Sequence, residues 1–473
     1  MTAIAWLRRD LRLHDHAVLA TACNGEGPVQ PVFIFDTEVL THFPAKNDRR
    51  LSFLAATLCH MDAELKKRGG GMLVLHGAAS KVMPKLATAL KADHVICAED
   101  FEPAAIARDA AVKQALPNGS RFVQVLDQLL VHPKNMRKAD GTAYKVFTPF
   151  YQKTWRPQVG PETVAEFTVN DKGRYADVAH SRTAARDAGL EVLELHHGPA
   201  HLLKAVGYEY AEDPIWTVDD VATRLARFIE QRLSGYPTAR NLVSKPGTSQ
   251  LSPYLRFGLV SIRQVTRAAM EDGHGEKWIS ELGWREFYVS VLAHYPEVVS
   301  QEFAKQYRGG VIPWRDNAAQ LKAFCEGRTG YPIVDAAVRE LLTTGWMHNR
   351  ARMIVASFFT KHLLMDWRIG EAFFAQYLMD YDLASNNGGW QWSASTGTDA
   401  QPYFRVFNPT LQGEKFDPEG DYVRGYVPEL RDVPTKHIHT PWLSLLKPKD
   451  YPAPIVDHAE ARQRAIAAFK KAA

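Results

Sequence analysis

The chain predicts an α/β domain built on a doubly wound parallel sheet, then a long linker, then an all-α domain. Three observations lead there. Five short apolar runs, Ala3–Leu7, Val29–Phe35, Met72–His76, His94–Ala98 and Phe122–Leu126, alternate with helical stretches such as Arg49–Lys67 and Val82–Leu90. Pro133, Pro149, Pro157, Pro161, Pro199 and Pro214 then interrupt any regular period. From Val218 onward only helical periodicity remains.

Each element follows from its pattern. Runs that are apolar throughout, rather than alternating, suit strands covered on both faces, as in a parallel sheet with crossover helices. That assigns residues 1–130 to the α/β domain. The proline-punctuated stretch 131–216 reads as the linker, and connectors of such length usually wrap a surface or carry function. Residues 217–473 read as helices over Val218–Leu233, Ser261–Glu271, Lys277–His294, Ala318–Cys325, Ile333–Thr344, Asn349–Leu364 and Gly370–Met379. The first strand leads into Arg8, Arg9, Asp10 and Arg12 instead of a G-x-G-x-x-G turn, so an ordinary dinucleotide site is not expected there.

Composition narrows the classes. At 473 residues, with 46% hydrophobic and 23% charged residues, the chain can build large cores without staples. Cys23, Cys59, Cys97 and Cys325 stand far apart, which argues against a disulfide framework and fits a reducing cytoplasm. The first residues carry no secretory h-region. The apolar run Met353–Met365 is broken by Lys361 and His362 and is too short for a bilayer. A soluble, cytoplasmic monomer is expected. The net charge of +4 leans weakly toward a polyanionic partner. No Cys/His metal cluster, Walker loop or G-x-S-x-G motif is present, so no metal is expected.

The densest chemistry lies between Asp380 and Trp392. Carboxylates Asp380 and Asp382 precede amides Asn386 and Asn387, a Gly388–Gly389 turn, and indoles Trp390 and Trp392. Such a set can hold a heterocyclic redox ligand; the alternative is a helix-end loop with buried tryptophans. Thr248–Pro253 predicts a helix start, with Ser252 as N-cap and Pro253 in the first turn. Its hydroxyls and N–H groups suit an anion such as pyrophosphate, or simply cap the helix. On Lys277–His294, Trp278, Glu281, Trp284, Arg285 and Tyr288 recur at three- and four-residue spacings. There a carboxylate can meet a base edge, or form an ion pair on a helix seam. Asn349, Arg352 and Met353 share another helix face. Arg352 suits an ion pair with Asp380 or Asp382, while Met353 offers soft contact surface or fills the core. Arg224, Arg227, Arg232 and Arg240 around Tyr236, with Lys415 and Arg424, suit nucleic acid or are solvated surface.

Taken together, these segments resemble the DNA photolyase/cryptochrome family. The resemblance runs through Trp6–Leu13, Lys145–Phe150, Thr329–Ala337, Trp390–Thr398 and Phe407–Gln412, blocks in one order along essentially the whole chain. Within the family the chain looks like the class I cyclobutane pyrimidine dimer photolyases. The resemblance implies an α/β antenna domain, a wrapping linker and a helical FAD-binding domain. It implies that Tyr236, Thr248, Ser249, Gln250, Leu251 and Ser252 hold the FAD phosphates, although the family often has Arg or Gly at the Gln250 position. Trp278 and Arg285 would border the cofactor. Arg352, Asp380, Tyr381 and Asp382 would flank its ring, and Asn386 would face flavin N5 with an amide donor.

The activity implied is light-driven repair of dimers in UV-damaged DNA, double- or single-stranded, by electron transfer from photoexcited reduced FAD to a flipped-out dimer. Glu281, Trp284, Asn349, Met353 and Trp392 would line the dimer pocket, and Arg240, Arg350 and Gln412 would touch the lesion strand. Trp390, Trp367 and Trp314 match the family's chain of electron-carrying tryptophans. Asn386, Trp392, Asn349 and Met353 favour repair over a cryptochrome-type blue-light photoreceptor. A light-independent flavoprotein sharing only the fold would lack this joint set of matches. For the antenna, folate-binding members carry an Asn-Glu pair where this chain has Ala104 and Ala105. Arg9, Asp100, Glu102 and Arg256 instead match members that bind 8-hydroxy-5-deazaflavin, so that chromophore is expected ahead of methenyltetrahydrofolate or an empty site.

Overall fold

Every residue of Val29–Phe35 is buried. Such a strand needs cover on both faces. It lies in a sheet where β1 (Thr2–Trp6), β2 (Val29–Phe35), β3 (Leu73–His76), β4 (Ala92–Ala98) and β5 (Arg121–Val125) run parallel in the order β5-β4-β1-β2-β3. Helices α1 (Ala17–Cys23), α2 (Arg49–Lys67), α3 (Ala79–Ala89) and α4 (Pro103–Ala115) connect them. Ile4, Trp6, Val32, Ile34, Leu73, Leu75, Met83, Leu86 and Val95 share one core. All five expected strands are present. The structure, a computed structural model, describes residues 2–218, 221–444 and 448–472. Residues 219 and 220 of the expected helix at 218–233 lie outside them; its helical part is Val221–Arg232.

The stretch read as a linker is not one element. It contributes a sixth strand, β6 (Glu191–Leu193), which pairs antiparallel with β3 through Val74–Leu193 and His76–Glu191. It also holds helices Val178–Asp187 and Gly198–Ala205. A three-residue edge strand is too short for alternation to show. Residues Trp155–Glu230 and Gln250–Ile279 fold with Met1–Met136 as one compact unit, whereas Arg137–Thr154 join Gln231–Ser249 and Ser280–Ala473 in a second. The expected boundary near residue 217 therefore does not coincide with a break in packing.

Buried charges stitch the first unit. Arg12 Nη2 donates to both Asp127 carboxylate oxygens at 2.7 and 2.8 Å. Arg263, in α5 (Ile262–Asp272), donates to Asp15 at 2.7 Å and to Asp127 at 2.9 Å. Burial alone would raise the Asp127 pKa, but Arg12 and its cationic neighbours hold it far below the usual range. Asp10, beside it, is pushed up to about 6 by burial and then by the Asp127 charge. Burial depresses His16 to about 3.

The second unit is helical. It contains most of α6 (Glu276–His294), with α7 (Pro332–Thr344), α8 (Asn349–Ser357), α9 (Trp367–Tyr377) and α10 (Leu383–Ala394). Asp335 explains the block Thr329–Ala337. Its carboxylate accepts the Thr329 N–H and hydroxyl at 2.7 and 2.6 Å, the Gly330 N–H at 3.0 Å and the Tyr451 hydroxyl at 2.5 Å. Pro332 sits in the first turn of α7, where its missing donor costs nothing. Val334, Val338, Leu341, Ile354, Val355, Phe358, Trp367, Phe374 and Trp390 form the core. The helix expected over 349–364 is α-helical only to Ser357 and continues as a π turn, Phe358–His362. Among the described residues no helix is long and apolar enough to cross a membrane.

The Gly388–Gly389 turn is a correction: both glycines lie inside α10. Gly388 serves close approach, because a Cβ there would stand 2.1 Å from the Tyr288 ring of α6. At Gly389 a Cβ would meet nothing within 4 Å. The two substitutions should therefore diverge. Gly388→Ala should lower the apparent Tm of the holoprotein, since overpacking costs about 1–3 kcal/mol against a helix-propensity gain of at most about 1 kcal/mol. Gly389→Ala should leave the Tm level or higher. Thermal denaturation of the two variants side by side is the check.

Candidate functional site

Many of the candidate residues of the second unit lie on α8, α9 and α10 or in the turns that join them. α7 ends at Gly345, whose φ of 70° reverses the chain. His348 then caps α8, its Nδ1 accepting the Arg350 N–H at 3.1 Å. The backbone N–H of His348 donates to Glu340 Oε2 at 3.2 Å, and the Tyr422 hydroxyl donates to the same oxygen at 2.6 Å. Glu340 thereby anchors the start of the helix that carries Asn349, Arg350, Arg352 and Met353. Burial lifts its carboxyl to about 7, and burial lowers His348 to about 4.

Arg352 Nη2 donates to both oxygens of Asp380, at 3.1 and 2.8 Å, and its Nε donates to the Met347 carbonyl at 2.8 Å. The expected pairing is thus with Asp380. Asp382 instead caps α10, its Oδ1 accepting the Ser385 N–H at 3.0 Å. Asn386 follows in the first turn of α10. Its Nδ2 donates to the backbone carbonyl and to Oε1 of Glu371, both at 3.0 Å. The amide nitrogen expected to face a ligand is therefore turned toward α9, which leaves the amide oxygen as the other end. Burial raises the Glu371 pKa, partly offset by the Asn386 bond. Sequence reasoning missed Glu371 because fifteen residues and a helix connection separate it from Asn386.

A second group surrounds Arg240. Its guanidinium pairs with Glu281 and lies 5.5 Å from the Tyr236 ring centre. Burial opposes the Arg240 charge, but Glu281 outweighs it and holds its pKa up. Arg350 donates to Asn241 Oδ1 at 2.7 Å and stands over Phe416 at 4.4 Å. Glu281 and Arg240, expected to engage different parts of a ligand, are here partners of each other. Trp284 forms a third group with Phe147 and Tyr288. Because the Tyr288 ring sits against Gly388, Trp284 is linked through one residue to the helix bearing Asn386. Asn349 is exposed, and Met353, Trp392 and Gln412 are half-buried. Asn349 Nδ2 reaches Met353 Sδ at 4.0 Å.

The three indoles differ in setting. Trp390 is buried, edge-on to Phe374 at 4.9 Å, and its ring occupies the space above Gly370. Trp367 is buried beneath Arg368 at 4.6 Å. Trp314 is half-buried, edge-on to Phe469 at 5.9 Å.

Of the remaining candidates, Thr248, Ser249, Arg285 and Tyr381 belong to the second unit, and the others to the first. Leu251, not Ser252, is the capping position of the short helix Ser252–Phe257, with Ser252 its first residue. The capping expectation fails because the Ser252 backbone is already helical, while Gln250 two residues earlier has a φ of 53°. The Gln250 side-chain oxygen accepts Arg224 Nη1 at 3.2 Å, a partner not foreseen. Trp278 packs on Phe228 at 4.6 Å. The strand order reverses between β1 and β4, and ligands of open α/β sheets bind outside such switch points. Arg9, just after β1, and Asp100 and Glu102, just after β4, lie at this point. Glu102 Oε1 accepts from Arg9 at 2.8 Å and Arg256 at 3.1 Å, while Asp100 lies 3.7 Å from Arg9. Burial would raise the Asp100 pKa, but Arg9 and then Arg8 bring it below its ordinary value.

Comparison with known proteins decides the family. Residues 3–166 match the family model described as DNA photolyase, and residues 278–471 match the FAD binding domain of DNA photolyase. The chain belongs to the DNA photolyase family. It is 40% identical to the deoxyribodipyrimidine photo-lyase of Halobacterium salinarum, covering 99% of this chain and 98% of that protein. Among solved structures, a bacterial class III photolyase from Agrobacterium tumefaciens superposes with a TM-score of 0.85 at 34% identity, over 100% of this chain and 97% of that one. An archaeal photolyase from Sulfolobus tokodaii, solved with two FAD molecules, superposes with a TM-score of 0.83 at 33% identity, over 99% of this chain and 100% of that one.

The second unit fits a flavin ring. The guanidinium of Arg352 and the Asn386 amide supply the donor and acceptor chemistry that an isoalloxazine edge needs.

Two outcomes are expected. Asp380→Ala leaves Arg352 without its carboxylate, so FAD content and Tm should both fall. The stability loss should be less than the roughly 3–5 kcal/mol of a fully buried pair, because the Arg352 side chain keeps 25% exposure. Absorbance of the purified variant gives the flavin content, and full occupancy at an unchanged Tm would remove this pair from the site. Glu340 is protonated more readily folded than unfolded, so its stabilising share is complete below its ordinary value of 4.5 and is lost as pH rises through about 7. The Tm of Glu340→Gln relative to the parent should accordingly climb between pH 5 and pH 8, by an equivalent of at most about 3 kcal/mol. A pH-independent difference would mean that Glu340 titrates normally.

Proposed function

We propose that the protein is a deoxyribodipyrimidine photo-lyase that repairs cyclobutane pyrimidine dimers in UV-damaged DNA under blue or near-UV light. One observation carries this reading. A polar site suited to a flavin, Arg352–Asp380 with Asn386, shares a unit and the helix α10 with an aromatic surface suited to bases. Trp284 reaches that helix through Tyr288 and Gly388, and Trp392 extends from it. FAD held there in its reduced form would supply, on absorbing light, the electron that splits the cyclobutane ring, and would recover that electron once the two bonds have broken.

The chain's own groups do the rest. Trp284 and Trp392 stack on the lesion after it leaves the duplex, the general behaviour of photolyases and of other enzymes acting on a base. Glu281 exchanges its Arg240 partner for a hydrogen bond to the lesion. Arg240, thus released, joins Arg350 and Gln412 on the strand backbone, while Asn349 and Met353 border the bases. Trp390 and Trp367, both buried, with half-buried Trp314, offer oxidisable rings on a path to the surface. Asp100, Glu102, Arg9 and Arg256 at the switch point of the sheet suit an antenna chromophore, and we favour 8-hydroxy-5-deazaflavin over methenyltetrahydrofolate. Glu102 bonds both arginines and, together with Asp100 beside Arg9, balances their charge, so the polar edge of a ring suits this site better than a strongly anionic group.

Dimer-containing oligonucleotide should be restored by the purified protein only when illuminated. Trp284→Ala should weaken binding of that oligonucleotide, a stacked aromatic being worth about 1–3 kcal/mol per base. Reconstitution with 8-hydroxy-5-deazaflavin should add a visible absorption band that sensitises repair. Light-induced spectral change without repair would favour the photoreceptor reading instead.

A further inference from the structure

The block Lys145–Phe150 belongs to the stretch the sequence presents as a linker, yet it packs in the second unit. Two contacts pin it there. The Thr398 hydroxyl donates to the Lys145 carbonyl at 2.6 Å, and the Phe147 N–H donates to Asp399 Oδ2 at 3.1 Å. Both partners lie just beyond α10. Phe150 is fully buried and packs on Phe287 of α6 at 5.1 Å. The segment is thus anchored at both ends, and Phe147 projects between the anchors.

Phe147 meets Trp284. The two rings are stacked, with centroids 3.9 Å apart and planes 11° from parallel. Phe287 closes one edge of the indole at 5.6 Å and 86°, and Tyr288 leans on it at 5.6 Å and 39°. An indole has two faces. Phe147 covers one of them, so a base can stack only on the other.

We propose that Phe147 is a positioning residue for lesion recognition: it backs the Trp284 indole and fixes the plane on which the flipped-out dimer stacks. This rests on the reading of Trp284 as a dimer-stacking residue. A platform held parallel by a second ring does not have to be ordered when the base arrives, so binding loses less rotamer freedom. A side chain of equal bulk but without a planar face cannot hold the indole in this way. The linker-like stretch would then contribute directly to specificity.

The test is binding of dimer-containing and undamaged single strands at fixed salt, with flavin content monitored. Phe147→Leu keeps most of the bulk but removes the plane, and should weaken dimer binding roughly 3- to 10-fold. Affinity for undamaged strand and flavin content should hold. Phe147→Tyr should restore dimer affinity. In a Trp284→Ala background, Phe147→Leu should cost nothing further, because no indole remains to be oriented. Parental dimer affinity in Phe147→Leu would overturn the proposal, as would an equal loss with and without Trp284. If Trp284→Ala alone leaves dimer affinity unchanged, the reading of the pocket fails rather than the role of Phe147 within it.

Discussion

Two close contacts between rings and glycines set the position of α10, and the candidate site of the helical unit depends on that helix. Trp390 rises from α10 into the space above Gly370 of α9, and Tyr288 of α6 presses on Gly388. Each contact works only because the glycine lacks a Cβ. Backbones brought this near gain dispersion contacts along their length, and protein interiors leave no slack to absorb an added methyl group. With α10 held from two sides, Asp382 at its N-cap and Asn386 in its first turn take fixed places relative to Arg352 on α8.

Electrostatics then follow from packing. Polar groups brought into this interior need partners, and the helices provide them in pairs: Arg352 with Asp380, Asn386 with Glu371, Arg240 with Glu281. Glu340 holds the start of α8 by accepting hydrogen bonds from neutral donors, so burial dominates its titration. The sheet unit solves a similar problem differently. There Arg263 bridges the carboxylates of Asp15 and Asp127, Arg12 adds its charge at Asp127, and these cations lower both acids' pKa despite their burial.

Legibility from sequence varied with the range of the interaction. Most of the parallel strands and helices were readable because burial on both faces leaves an unbroken apolar run and burial on one stripe leaves a helical period. β6 was not, since three residues carry no period. The glycine pair at 388–389 read as a turn because glycine's conformational freedom and its small size look alike in one dimension. The Ser252 cap failed because the helix already includes Ser252, one residue earlier than its hydroxyl suggests. The Arg352–Asp380 pair was foreseeable because a buried carboxylate demands a cation. Glu371 and Glu340 were not, nor was the pairing of Arg224 with Gln250, because nothing local distinguishes such groups from surface charges.

The sequence by itself determined the fold class, the family blocks and the residue types of the site, because composition and spacing record what each local stretch must bury or expose. Tertiary structure decided most of the pairings among those residues. It turned the Asn386 amide toward Glu371, joined Glu281 to Arg240, and brought Phe147, from a stretch that reads as a linker, against the face of Trp284. The physical reason is the same in each case. A hydrogen bond or a ring stack depends on separations of a few ångströms between residues far apart in the chain, and such separations are set by packing that leaves no trace in local sequence.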